Sequence, residues 1–144
     1  MKRVTIVAGM AILVLAACGG GASSGSSGSS AGAGGTVAIS LTDNMVTLGA
    51  ATVAPGKVTF TVKNTGSVVH SLVVLKTNLA HDKIPADPQD ASRADERGKV
   101  AGSGQIAAGE TKEFTVDLAS GKYVVMCNEP AHYLVGMHTA LTVN

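Results

Sequence analysis

The chain has 144 residues, enough for one domain with appendages, and a mean hydropathy of +0.29 with 15% charged residues argues against a disordered polar chain. Eleven basic and ten acidic side chains leave a net charge of +1, and aromatics make up 3% with no Trp, so the chain has neither the basic block nor the stacking surface of a nucleic-acid binder. Four Pro and a succession of short Val/Thr runs point away from a helical bundle.

Lys2 and Arg3 form a positive start, and Val4 to Ala17 follow without a charge. Fourteen residues are too few to span a bilayer, which takes about 20, so this is the apolar region of a signal peptide covering residues 1–17. It ends Leu15-Ala16-Ala17-Cys18-Gly19, which resembles the lipobox of bacterial lipoproteins. That resemblance implies cleavage before Cys18 and lipidation of its thiol, and more than one acyl chain makes stable anchoring. The expected place is the bacterial cell envelope, on the outer face of the cytoplasmic membrane or on the outer membrane, with the protein facing the periplasm or exterior. Loss of Lys2 and Arg3 leaves nine basic against ten acidic side chains, a sum of −1, so charge alone selects no partner. Gly19 to Gly35 holds only Gly, Ser and Ala, so residues 18–35 read as a lipidated Cys and a flexible tether with an r.m.s. reach of about 21–25 Å.

Residues 36–144 are long enough for one β-sandwich. Thr36 to Thr42 alternates, with Val37, Ile39 and Leu41 on one face; Met45 to Val53 is a weaker strand. After the Pro55-Gly56 turn, Lys57 to Lys63 alternates with Val58, Phe60 and Val62 inward. Val68 to Leu75 is apolar on both faces, as in a strand at mid-sandwich. Lys76 to Gly104 is mixed in charge, carries Pro85 and Pro88, and is read as a loop with a short helix around Ala91 to Lys99. Gln105 to Ala108, Thr111 to Leu118, Lys122 to Cys127 and Met137 to Val143 complete the strands. Seven to eight short strands separated by turn signals predict an all-β, antiparallel Greek-key sandwich.

The last strands carry the chemistry. Strand parity puts Tyr123, Val125 and Cys127 on one face, and Met137, Leu141 and Val143 on one face of the next strand, with His138 turned away. Cys127 and Met137 thus stand at facing strand ends, joined by a nine-residue loop bearing His132. His70, in Asn64-Thr-Gly-Ser-Val-Val-His70, offers a second imidazole. With Cys18 lipidated, Cys127 has no disulfide partner, and an unpaired thiol in an exported protein calls for a role. A thiolate, two imidazoles and a thioether suit copper in the blue, electron-transferring arrangement with Met as weak axial ligand. His81, in the variable loop, and His138, facing away, are read as bystanders, and Met45 and Met126 as packing residues.

Here the sequence resembles the cupredoxins, the family of plastocyanin, azurin, auracyanin and rusticyanin. The resemblance covers Thr36 to Asn144 and rests on Cys127-x₄-His132-x₄-Met137 and on Asn64-x-Gly66-x₃-His70, supported by Pro55-Gly-Lys-Val-Thr-Phe60, Gly109-Glu-Thr111 and Gly121-Lys-Tyr123. The Cys-to-His-to-Met spacing is most like auracyanin and rusticyanin. The resemblance implies an eight-stranded Greek-key sandwich and one mononuclear type 1 copper at one end, bound by His70, Cys127, His132 and Met137, both His through Nδ1. Many members carry Asn directly after the first His; here it is Ser71, as in rusticyanin-like members, which bears on the potential.

The expected function is a membrane-anchored, monomeric, non-enzymatic carrier of single electrons. Its partners would be redox proteins, such as cytochromes or respiratory, oxidase or photosynthetic complexes, docking near His132 where Pro130, Ala131, Leu134 and Val135 form an apolar patch. The competing reading is an extracytoplasmic copper carrier or storage lipoprotein. A multicopper oxidase or nitrite reductase would usually show His-Cys-His where this chain has Met126-Cys127-Asn128, and a binuclear copper domain needs a second nearby Cys. A metal-free lipoprotein sandwich would show no colour with copper.

Overall fold

The computed structural model describes residues 34–144. The signal segment 1–17, Cys18 and the tether through residue 33 lie outside the described residues. The described residues form nine strands and no helix: β1 (Thr36–Thr42), β2 (Met45–Leu48), β3 (Thr52–Val53), β4 (Gly56–Asn64), β5 (His70–Lys76), β6 (Lys99–Ile106), β7 (Thr111–Leu118), β8 (Gly121–Met126) and β9 (His138–Val143).

They build two packed sheets, in the orders β2-β1-β4-β7 and β3-β9-β8-β5-β6. The expected all-β sandwich is present, with two changes. The sheets are mixed, because β1 runs parallel to β4 and β3 parallel to β9. The strands number nine because the Met45–Val53 segment leaves one sheet at Gly49, whose N–H still donates to Ala38 O at 2.8 Å, and joins the other through Thr52 and Val53.

Alternation places the core. Val37, Ile39 and Leu41 of β1 and Val58, Phe60 and Val62 of β4 are buried from one sheet. They meet Leu72 and Val74 of β5, Tyr123 and Val125 of β8, and Leu141 and Val143 of β9 from the other. Cys127 and Met137 belong to this same interior at its end. A second cluster lies on the outer face of the five-stranded sheet, where Val73, Leu75, Val124 and Met126 pack against Ile84, Ala94 and Tyr133. The doubly apolar β5 is therefore covered on both sides, as its sequence requires, and the segment between β5 and β6 is the second cover.

No helix forms over Ala91–Lys99. Asp87 accepts from the N–H groups of Gln89 (2.7 Å) and Asp90 (3.2 Å), Asp90 from Ser92 (3.0 Å) and Asp95 from Arg97 (2.9 Å). These local bonds hold the backbone in successive turns and compete with helical pairing. β6 starts at Lys99, well before Gln105, and runs through Gly102-Ser103-Gly104, which hides its alternation. The register against β5 shifts between Leu72 and Val73, so Ser103 bulges out, and its Oγ accepts from Leu72 N at 2.9 Å. At the other end, Gly35 O accepts from Thr59 N at 2.9 Å, so the chain docks on β4 just before β1 begins.

Candidate metal centre

His70 opens β5, Cys127 follows β8, and the turn-rich segment between β8 and β9 returns through His132 to Met137. Two backbone bonds fold that segment onto itself: Cys127 N–H donates to Met137 O at 2.9 Å and Met137 N–H to His132 O at 3.1 Å. His70, Cys127 and Met137 are fully buried, and His132 is half-buried. The structure thus brings all four sequence-derived residues to one end of the sandwich.

Three of their donor atoms form a triangle. His70 Nδ1 lies 3.1 Å from His132 Nδ1, and Cys127 Sγ lies 3.6 and 3.4 Å from these two nitrogens. A point equidistant from all three is about 2.0 Å from each, the length of a metal–imidazole bond, while a metal–thiolate bond is about 2.3 Å. Two imidazole nitrogens and a sulfur converging on one point can hold a metal ion. Both imidazoles turn Nδ1 toward the sulfur.

The protonation states follow from burial. Desolvation pushes the Cys127 thiol above its ordinary range; the N–H groups of Ser71 and Glu129 and the Ser71 hydroxyl act in the opposite sense. Ser71 N lies 3.4 Å from Sγ, so a donor to sulfur survives although residue 71 has no amide side chain. Burial, then the neighbouring His70, hold His132 below the usual imidazole range, so it is neutral and ready to ligate at neutral pH.

The sequence reading missed three supporting residues. Asp43, just after β1, lies with Oδ1 3.4 Å from His70 Nε2. With Nδ1 committed to the centre, Nε2 carries the proton and donates to this carboxylate, which fixes tautomer and ring orientation. Asp43 is itself held by the Ser67 hydroxyl and the Ser67 and Val68 N–H groups, which keep its carboxyl down at about 2. Asn128, buried beside Cys127, donates through Nδ2 to Ala94 O (3.0 Å) and Glu96 Oε1 (2.9 Å) and accepts from Ala94 N (2.8 Å). Tyr133, next to His132, receives Ile84 N–H at 2.9 Å and donates to His81 O at 2.9 Å. Both tie the ligand segment to the cover between β5 and β6. Ala131, immediately before His132, has φ +67° and donates its N–H to Ser92 O at 2.7 Å, the one non-glycine residue at positive φ among the described residues.

A family model of copper binding proteins, the plastocyanin/azurin family, matches residues 36–144. The chain belongs to this family. Among solved structures it is similar to an auracyanin of the photosynthetic bacterium Roseiflexus castenholzii, with 27% identity, a TM-score of 0.56, and 76% of this chain and 96% of that one covered. It is also similar to auracyanin A, a "blue" copper protein of the green thermophilic photosynthetic bacterium Chloroflexus aurantiacus, at 28% identity and TM-score 0.52, covering 76% of this chain and 98% of that one. Rusticyanin from Thiobacillus ferrooxidans shares the fold at 19% identity and TM-score 0.55, with 76% and 77% covered. A search of curated protein sequences returned no match. The cofactor of this cupredoxin is copper, one mononuclear type 1 ion per chain, which the soft donor set and its spacing fit.

Proposed function

We propose that this cupredoxin, one of a family of single-electron copper carriers, works tethered to a bacterial envelope membrane through a lipid on Cys18, that His70, Cys127, His132 and the thioether of Met137 hold its copper, and that it passes electrons between redox proteins as a monomer. Bound copper supplies the chemistry, exchange of one electron between Cu(II) and Cu(I). The protein's part is to hold the donors still and dry. The carrying observation is the triangle of two Nδ1 atoms and Sγ, already at metal-binding separation. A donor set placed in advance, and braced by Asp43, Asn64 and Asn128, changes little when the ion changes charge.

Burial supports retention over delivery of the metal: His70, Cys127 and Met137 present no surface to a partner that would extract it. His132 alone reaches outward, and the two ligand-bearing loops expose Leu134 and Val135 (61% each) and Val68 and Val69 (45% and 44%). This apolar collar suits the small, transient interfaces of redox partners, and Met126 and Asn128 flank Cys127 where multicopper enzymes usually place His. The test is copper(II) addition to the purified protein. An intense visible thiolate-to-copper band that is lost in Cys127→Ser supports the reading; stoichiometric copper without that band makes the chain a carrier of copper instead. For the anchor, Cys18→Ala should release the protein from membranes or leave an unprocessed precursor, and wild-type protein of unlipidated mass would refute lipidation.

A further inference from the structure

The two remaining histidines meet each other. His138 faces away from the interior, as strand parity requires, and there meets His81 from the segment after β5. The two Nδ1 atoms are 2.7 Å apart, with ring centroids 5.0 Å apart. We propose that His81 and His138 form a second metal site, a two-imidazole chelate for a tetragonal Cu(II) ion, on the face of the β8–β9 sheet opposite the blue-copper centre.

The separation fits such an ion. An ion about 2.0 Å from both nitrogens would see them about 85° apart. That is the cis angle of a tetragonal Cu(II) centre with nitrogen and oxygen ligands. Linear Cu(I) would need the nitrogens about 4 Å apart, and a tetrahedral ion about 3.3 Å. The blue-copper imidazoles sit closer to that wider spacing, at 3.1 Å, so the two pairs differ in the direction their metals require.

The pair is held before any ion arrives. Tyr133 packs its ring against His138, with centroids 4.7 Å apart, and its hydroxyl donates to the main-chain carbonyl of His81. Ile84 N–H in turn fixes that hydroxyl. One aromatic residue therefore positions both histidines, one by a tilted ring contact and one through its backbone. Unlike His70, both rings are only half-buried, and His81 lines an open groove of about 370 Å³ running along β8 and β9. Water can complete the coordination sphere from that side. No thiolate faces the pair: Cys127 and Met137 belong to the opposite interior, and Met126, the cross-strand partner of His138 on this face, is fully buried in the apolar cluster with Tyr133. The ion held here would be of the weakly absorbing, oxygen- and nitrogen-bound class, without a thiolate-to-copper band.

The experiment starts from the full chain loaded with one copper and adds copper(II) sulfate in a weakly coordinating buffer, followed by electron paramagnetic resonance and visible absorption. A second equivalent should bind with a tetragonal signal split by two imidazole nitrogens, while the blue band stays unchanged. The sequence has four His, so with His70 and His132 engaged both nitrogens belong to His81 and His138. His81→Ala should weaken the second equivalent by at least about tenfold and keep the blue band; His81→Gln replaces it should the alanine variant lose that band. His138→Gln should do the same from the strand. If wild-type protein stops at one equivalent, the pair is only hydrogen-bonded and the proposal fails. It fails equally if the two-nitrogen signal persists in either His variant.

Discussion

Asn64 is a polar residue that should be costly to lose. It ends β4, is fully buried, and uses its whole side chain. Nδ2 donates to Val68 O at 2.7 Å and to Ile106 O at 3.0 Å, and Oδ1 accepts from Gly66 N at 2.9 Å. These bonds close the loop that delivers His70 and fasten it to the end of β6. In Asn64→Ala the Ile106 acceptor is left in a buried place, at about 1–3 kcal/mol, and the partly exposed Val68 and Gly66 groups lose about 0.5–1 kcal/mol each as water replaces the amide. The sum is about 2–5 kcal/mol, or a fall in Tm of roughly 10–25 °C for a domain of this size. Asn64→Asp keeps the shape yet turns oxygens toward two carbonyls, so it should cost at least as much. Urea unfolding of the copper-free protein measures both. A loss below about 1 kcal/mol in Asn64→Ala, or an Asp variant as stable as wild type, would show that the loop is held by something other than this amide.

Three further outcomes follow from the same geometry. A Cβ at Gly66 would stand 2.1 Å from Asp43 Oδ1 and 2.9 Å from His70 Nε2; Gly66→Ala should therefore expel the half-exposed Asp43 carboxylate, shift the reduction potential and the visible band, and lower the urea midpoint less than Asn64→Ala does. Because burial keeps the Cys127 thiol protonated at neutral pH while His132 is already neutral, copper(II) uptake at pH 7.5 should release about one proton from Cys127 and strengthen with rising pH; an indicator-dye measurement on wild type and Cys127→Ser checks it, and equal release from both would contradict it. Met137→Leu should raise the potential and Met137→Gln lower it, since the axial donor tunes the balance of Cu(II) and Cu(I), whereas Met126→Leu, in the cluster on the other face, should do much less; voltammetry on the three variants decides.

The sandwich was legible where side chains alternate. β1, β4 and β7 write their inward faces in plain period two, and β5 announces its double burial by an unbroken apolar run. Legibility failed where the backbone, not the side chains, makes the decision. β6 is built on Gly102, Ser103 and Gly104, whose bulge removes the alternation a strand would show. The segment before it resembles a helix in composition, but Asp87, Asp90 and Asp95 spend their carboxylates on nearby N–H groups, a choice that depends on local geometry and leaves no periodic mark.

The metal centre divides along the same line. His70, Cys127, His132 and Met137 are spaced by strand parity and loop length, both of which a sequence carries. The residues that brace them come from far away in the chain: Asp43 reaches His70 across 27 positions, and Asn128 reaches Ala94 across 34. Contacts of that kind exist only once the sheets have packed, and a single acid or amide in the sequence gives no hint of them. His81 and His138 read as bystanders for a sound reason each, one in an irregular segment and one on the outward face. Neither reason carries their meeting, because the irregular segment is folded over that outward face. Parity says which way a side chain leaves a strand; what waits for it there is decided by the cover, and here the cover brings a second imidazole.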